Sequence, residues 1–321
     1  MKGDIEIMYS LKRLSGFALA LLLLVACNTA PALEPTNRPS APDQPAWKAE
    51  VKEIIICYLP NESTNLVVEA RGLLQKDLGD YLGIPVKELS VSDYNAVVEA
   101  MRTGKADIAG FGPVTYVQAA ERAGAEAMCV TATHSDMNNT GYTSQFIVRA
   151  DSDIQTLEDL RGRSFAFVDP SSTSGNYVPT LELMNKFGLS SDDLHTNGAF
   201  FESVMYSGGH VNGLRAILAG DIDAVPIASN TLKNELRAGN TTEADFRIIH
   251  ESPRIPDSPV SIRGNLPTEL KKLILDFYLN YDNPEYFELS GGYKPEDEAR
   301  FILTIDSDYD YVRDLMQKVM P

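Results

Sequence analysis

Cysteine is scarce in this chain, with three in 321 residues at positions 27, 57 and 129. None has a histidine or an acid at metal-ligand spacing, which argues against zinc and iron–sulfur chemistry; no metal and no cofactor is expected. Cys57 and Cys129 each lie in an apolar, strand-like run and are expected as buried free thiols. The signatures of several enzyme classes are also missing: there is no Gly-x-Ser-x-Gly elbow and no phosphate-loop lysine. Positive charge is in deficit, 28 Lys and Arg against 45 Asp and Glu for a net −17, so nucleic acid is excluded as an expected partner.

A long apolar run is lacking too. The stretch Phe17 to Val25 is too short to span a bilayer, but after Lys12 and Arg13 it suits the apolar part of an export signal. Asp4 and Glu6 are unusual ahead of such a basic segment and make Met8 an alternative start. Leu24-Val25-Ala26-Cys27 resembles a bacterial lipobox, which implies cleavage before Cys27 and a lipid on its sulfur. Loss of residues 1–26 removes three basic and two acidic side chains and leaves −18. Residues 27–48 follow with Pro31, Pro35, Pro39, Pro42 and Pro45 and no periodicity, as expected of a semi-extended tether.

What is present is a folded α/β chain, 44% hydrophobic and long enough for two compact lobes. From residue 49 strand-like and helix-like runs alternate, which predicts mainly parallel sheets. One series covers strands at 53–59, 86–91, 106–110 and 127–132 with helices at 65–81, 93–103 and 114–123. In the helix at 65–81 the predicted buried stripe is Leu66, Ala70, Leu74, Leu78 and Tyr81. A second series has strands at 145–149, 164–169, 199–201 and 222–227 and helices at 177–188, 211–218 and 229–237. A strand at 260–263 and helices at 267–281 and 309–320 complete the chain. Open α/β sheets bind ligands beyond the carboxyl ends of their strands, which singles out the loops 59–65, 91–95, 110–115, 169–176 and 207–212. Each ends at a predicted helix start.

The most telling loop is Asp169-Pro-Ser-Ser-Thr-Ser-Gly-Asn176, where an apolar strand runs through a hydroxyl-rich turn into a helix. A helix start carries unpaired N–H groups and the positive end of the dipole, so it suits an oxyanion. Ser172, Thr173 and Ser174 add hydroxyls; the same residues also suit plain N-capping. Thr64 beside Ser63, Tyr94, Thr115 with Tyr116, and Gly208-Gly209-His210 occupy the other loops and are donor-bearing as well, the plain alternative for a lone His210 being a satisfied surface or core residue.

The run Ile154 to Gly175 resembles the central signature of the phosphonate/phosphite-type substrate-binding proteins of ABC transporters. Asp93 to Pro113, Gly209 to Ala224 and Asp306 to Leu315 are similar to further segments of that family. The resemblance implies a type II periplasmic-binding-protein fold, two α/β lobes joined by two crossover strands, with lobe 1 at 49–138 plus 256–321 and lobe 2 at 139–255. It implies a monomeric, lipid-anchored, extracytoplasmic receptor that closes on a phosphorus oxyanion or organophosphonate and hands it to an ABC permease and its ATPase. By the same resemblance Ser172, Thr173 and Ser174 hold the phosphoryl oxygens, and protonated His210 donates a charge-assisted bond. Phe111 stands where the family often has a tyrosine, so that hydroxyl is absent; either the site reads a smaller or less polar group or Tyr94 substitutes. Asn230 stands where some members carry a glutamate for an amine, which disfavours aminoethylphosphonate. Ser258 takes the place of a family aspartate, with Asp257 one residue earlier, and leaves phosphite, methylphosphonate and phosphate all open. A sensor subunit on the same scaffold is an alternative. So is an enzyme using Ser174 with His210.

Overall fold

The computed structural model describes residues 45–60, 64–134 and 140–319. The export signal, Cys27, most of the tether and Ser63 lie outside the described residues. The described chain from Pro45 onward forms one compact unit.

A short helix α1 (Trp47–Glu50) leads into β1 (Ile54–Tyr58), α2 (Asn65–Leu82), β2 (Val86–Leu89), α3 (Tyr94–Arg102), β3 (Ile108–Gly110), α4 (Pro113–Ala123) and β4 (Ala125–Ala132). The chain then crosses to a second layer: β5 (Ser144–Arg149), β6 (Ser164–Phe167), a single π turn (Thr173–Tyr177), α5 (Val178–Phe187), α6 (Ser191–His195), β7 (Ser203–Tyr206), α7 (His210–Ala219), β8 (Ala224–Ala228), α8 (Ser229–Arg237) and β9 (Phe246–Glu251). It returns as β10 (Val260–Arg263), α9 (Thr268–Leu279), α10 (Pro284–Gly291), β11 (Arg300–Leu303) and α11 (Asp310–Val319).

The strands form two sheets, in the order β11-β4-β10-β3-β1-β2 and β7-β6-β8-β5-β9. Both are mixed rather than mainly parallel. Among the described residues four strand pairings are parallel and five antiparallel. The reason is the crossover: β5 and β10 are the first strands after each passage between lobes, and each runs antiparallel to both of its neighbours, β5 to β8 and β9 and β10 to β3 and β4. The two passages touch at a bridge between Tyr142 and Ile255, with N···O distances of 3.1 and 2.7 Å.

Helix starts are set locally. Thr64 Oγ1 accepts the Val67 N–H at 3.2 Å and begins α2, and Asp93 Oδ1 accepts the Ala96 N–H at 2.8 Å and begins α3. The buried stripe of α2 is Val67, Ala70, Leu74, Leu78 and Leu82; Leu66 is half-buried and Tyr81 is 51% exposed. The predicted face is thus right at its centre, Ala70, Leu74 and Leu78, and shifted by one residue at each end. Trp47, within the predicted tether, is instead a core side chain. Cys57 and Cys129 are free and buried, and burial pushes the Cys57 thiol up to about 11.

Three apolar clusters hold the layers. One backs the first sheet (Ile54, Leu74, Tyr278, Phe301) and one backs the second (Phe146, Phe165, Phe167, Phe200). The third lies between the sheets, where Leu59, Phe111 and Tyr116 meet Val168, Tyr177 and Ile227, and α11 adds Val312 and Leu315 while packing on both α4 and α5. A continuous core between the two sheets means that the lobes are closed on each other.

Candidate functional site

Four helices of eight residues or more, and a π turn that runs on into a fifth, begin at one small hollow between the sheets. Tyr94 opens α3, Gly112 caps α4, Ser172 caps the π turn that feeds α5, His210 opens α7, and Ala228 caps α8. The hollow is lined by these residues together with Leu59, Tyr142, Thr173, Ser174, Asn230 and Ser258. It has about 30 Å³ of room for the centres of water-sized atoms. A sphere of that volume is about 2 Å in radius, which takes the four substituent atoms of a tetrahedral centre and nothing much further out.

The hydroxyls are oriented by the fold. Thr173 Oγ1 accepts the Val114 N–H at 2.8 Å from the opposite lobe, and Ser172 Oγ accepts the Gly175 N–H at 3.0 Å. Each of these oxygens thus has a lone pair engaged in the wall and a proton to give to the hollow. The capping expectation is met by Ser172. Thr115 Oγ1 donates to the Ser171 carbonyl at 3.0 Å, a second bond across the cleft. Asp169 accepts the Ser171 N–H at 2.8 Å and the Tyr94 N–H of the other lobe; burial pushes its carboxyl up while these two bonds pull it down.

His210 differs from the expectation. It is 2% exposed, and desolvation holds its imidazole down at about 3, so it is neutral. Its Nδ1 accepts the Ala228 N–H at 3.2 Å, and its Nε2 faces Ser174 Oγ at 3.4 Å. The Ala228 N–H held at Nδ1 favours the tautomer with its proton on Nε2, which turns a neutral donor toward Ser174 and the hollow. Below pH 6.5 the unfolded chain takes up a proton that folded His210 refuses, so its contribution to stability is complete above 6.5 and lost as pH falls toward 3. We expect His210→Gln to flatten this slope: in urea unfolding at pH 4.5, relative to pH 7.5, the wild type should lose about 2 kcal/mol more than the variant. Parallel losses in the two proteins would contradict it.

Three expected residues do not line the hollow. Phe111 is a core side chain, 1% exposed, whose N–H is tied to the Pro259 carbonyl at 3.1 Å. Thr64 is spent on capping α2. Asp257 turns one carboxylate oxygen back to the Ser258 N–H at 2.8 Å and lines a different, open cavity of about 520 Å³ behind the crossover. Nor do Thr115 and Tyr116 reach in: the Tyr116 hydroxyl donates to Asp306 at 2.7 Å. Sequence reasoning missed Tyr142, fully buried with its phenol pushed up to about 12 by burial, whose hydroxyl meets those of Ser174, Thr173 and Ser258. It also missed the apolar contributions of Leu59 and Ala228. The signal available for Tyr142 was an aromatic directly after Gly141 at the lobe junction.

Two α/β lobes joined by paired crossovers and closed over a hollow of neutral donors define a bilobal solute-binding protein. This chain belongs to the family described as ABC transporter, phosphonate, periplasmic substrate-binding protein, which matches residues 56–309, and it is accordingly a substrate-binding transport component acting outside the cytoplasm. It is 30% identical over 271 residues to the phosphate-import protein PhnD of Mycolicibacterium smegmatis, covering 81% of this chain and 84% of the relative. It is 29% identical over 228 residues to the phosphonates-binding periplasmic protein of Escherichia coli, and there the match spans 70% of this chain but only 62% of the relative's length. Among solved structures, a binding component of a phosphonate ABC transporter from Pseudomonas aeruginosa superposes with a TM-score of 0.70 at 26% identity, covering 82% and 85% of the two chains. A Prochlorococcus marinus protein solved with methylphosphonate gives a TM-score of 0.71 at 20% identity, covering 83% and 98%, and shares the fold.

Proposed function

We propose that this chain captures a small tetrahedral phosphorus oxyanion, phosphite, methylphosphonate or phosphate, in the hollow between its lobes and delivers it unaltered to a membrane permease driven by an ATPase. The observation that carries the reading is the lining of the hollow: hydroxyls of Ser172, Thr173, Ser174, Tyr94, Tyr142 and Ser258, the Nε2–H of His210 and the amide of Asn230 around a space sized for one tetrahedral centre. The named ligands of the relatives support the same class. Asn230 in place of a carboxylate gives an ammonium no counter-charge, and the small volume leaves an aminoethyl arm no room, so aminoethylphosphonate is the weakest of the group. We also propose that the mature protein is a monomer held to the membrane by lipid on Cys27.

No reaction is assigned. Ser174 and His210 resemble a nucleophile and its base, but the tautomer favoured by the Ala228 N–H at Nδ1 keeps the proton on Nε2 and leaves no lone pair there for a general base. Calorimetry of the mature chain with phosphite, methylphosphonate, phosphate and aminoethylphosphonate tests the reading. Binding by at least one of the first three, with aminoethylphosphonate weakest, is expected; silence from all four overturns it. Thr173→Ala should weaken binding by about 1 to 3 kcal/mol, since it removes a donor to a charged oxygen and orphans the Val114 N–H. Unchanged affinity would take Thr173 out of the site.

A further inference from the structure

We infer that the hollow selects its ligand by charge state, taking the fully deprotonated oxyanion and rejecting the form that carries a P–OH proton. The inference rests on the oxyanion reading of the site. Its ground is the distribution of acceptors around the hollow. Among the described residues none of the lining side chains is a carboxylate, and none is a lysine or arginine. Asp93 and Asp257 adjoin lining residues in the chain and Asp169 bonds to the Tyr94 N–H, and each is engaged elsewhere. Asp93 is turned to the Ala96 N–H at the start of α3. Asp169 takes the N–H groups of Ser171 and Tyr94. Asp257 is turned to the Ser258 N–H and lines the cavity behind the crossover.

The remaining polar groups give protons more readily than they take them. Ser172 and Thr173 each already accept a backbone N–H. His210 presents Nε2–H, because its other nitrogen holds the Ala228 N–H. The Asn230 carbonyl oxygen accepts the Thr231 N–H at 2.8 Å, which leaves its NH₂ as the free end. A ligand oxygen bearing a proton finds no carboxylate to take it and only hydroxyl oxygens already bonded within the wall, whereas an unprotonated oxygen accepts from every side. The helix starts at the hollow add positive potential without adding a titratable cation.

Phosphorus oxyanions lose their second proton near neutral pH, at about 6 for an organic phosphate, so the selection is measurable. Binding of phosphite and of methylphosphonate to the mature chain is measured by calorimetry from pH 5.5 to 9, in buffers of differing ionisation enthalpy. We expect affinity to rise about tenfold per pH unit below each ligand's second ionisation and to level above it, with proton release on the acid side. The midpoint should follow the ligand, differing between the two compounds as their own ionisations differ. A common midpoint would assign the effect to a protein group such as Asp169 and overturn the inference. So would a flat profile, or one that falls with pH. Absence of binding at every pH would instead remove the oxyanion reading itself. In Ser258→Asp, a carboxylate on the lining wall should move the optimum to the acid side of the ligand's ionisation; a folded variant with the wild-type profile would also count against the inference.

Discussion

Gly175→Ala should abolish measurable capture of any of these anions and lower stability as well. A Cβ built on Gly175 would stand 2.3 Å from Val168 Cβ, 2.4 Å from Val168 Cγ2 and 2.7 Å from Ser172 Oγ. Its backbone is not in a left-handed conformation; the requirement is close approach, because the π turn is laid directly on the end of β6, with the Val168 N–H donating to the Gly175 carbonyl at 2.9 Å. Relief of the clash must push the turn away from β6, and the turn carries Ser172, Thr173 and Ser174 together. Ser172 loses its bond from the Gly175 N–H, and Thr173 loses its register with Val114 across the cleft. An overpacking cost of about 1 to 3 kcal/mol on stability and a loss of at least about 100-fold in affinity, from several charged-oxygen contacts together, are expected in thermal melts and calorimetry. Gly72→Ala serves as the comparison: that helical glycine has nothing within 4 Å of its added Cβ, so the change should stabilise by about 0.5 to 1 kcal/mol and leave binding intact. Wild-type affinity in Gly175→Ala would mean that the π turn does not present the ligand contacts.

The two-lobe α/β architecture was readable because its interior strands are apolar and its helices open at hydroxyl-bearing or proline-bearing turns. The strands that escaped, β7, β9 and β11, share a position: each is a sheet edge. An edge strand is paired on one side only and keeps much of its surface in water, so its sequence has no sustained apolar run. Met205 in β7 and Leu303 in β11 are 54% and 57% exposed, and Ile248 in β9 is 41% exposed. Conversely, the strand predicted at 199–201 drew on Phe200 and Phe201, which are buried from a loop; Phe201 stacks on Phe165 with ring centroids 4.3 Å apart. Burial and strand pairing give the same local signal there, and only the tertiary contact separates them. In α2 the predicted stripe kept its centre, Ala70, Leu74 and Leu78, and missed only at its ends, where Val67 and Leu82 are buried in place of Leu66 and Tyr81.

Legibility of the site followed the same division. Ser172, Thr173, Ser174, Tyr94, His210 and Asn230 stand at helix starts, where hydroxyls, glycines and periodicity mark the position in the sequence. Tyr142 and Ser258 come from the crossovers, which have no periodicity, and side-chain direction there depends on how the two passages pair. That pairing also explains Asp257: successive residues of an extended segment point to opposite sides, so Ser258 faces the hollow while Asp257 faces the cavity behind it. The protonation state of His210 could not be read from residue type, since it depends on complete desolvation and on the Ala228 N–H.

Gly141→Ala is expected to break the hinge. The backbone at Gly141 has φ +147°, a region L side chains rarely enter, and an added Cβ would lie 2.1 Å from the Ile255 carbonyl oxygen and 3.2 Å from Arg254 Cγ. The obstacle is a backbone atom of the partner crossover, not the end of a flexible side chain, so relief requires the two passages to separate. Separation breaks the Tyr142 to Ile255 bridge, and it draws the Tyr142 hydroxyl away from Ser174, Thr173 and Ser258 at the floor of the hollow. Strain and lost pairing together should cost about 3 kcal/mol or more of stability. The ligand-induced rise in melting temperature should shrink as well, because the closed state that the ligand favours is the one the substitution disfavours. A variant that melts with the wild type and keeps the full ligand-induced rise would show that closure does not depend on the paired crossovers.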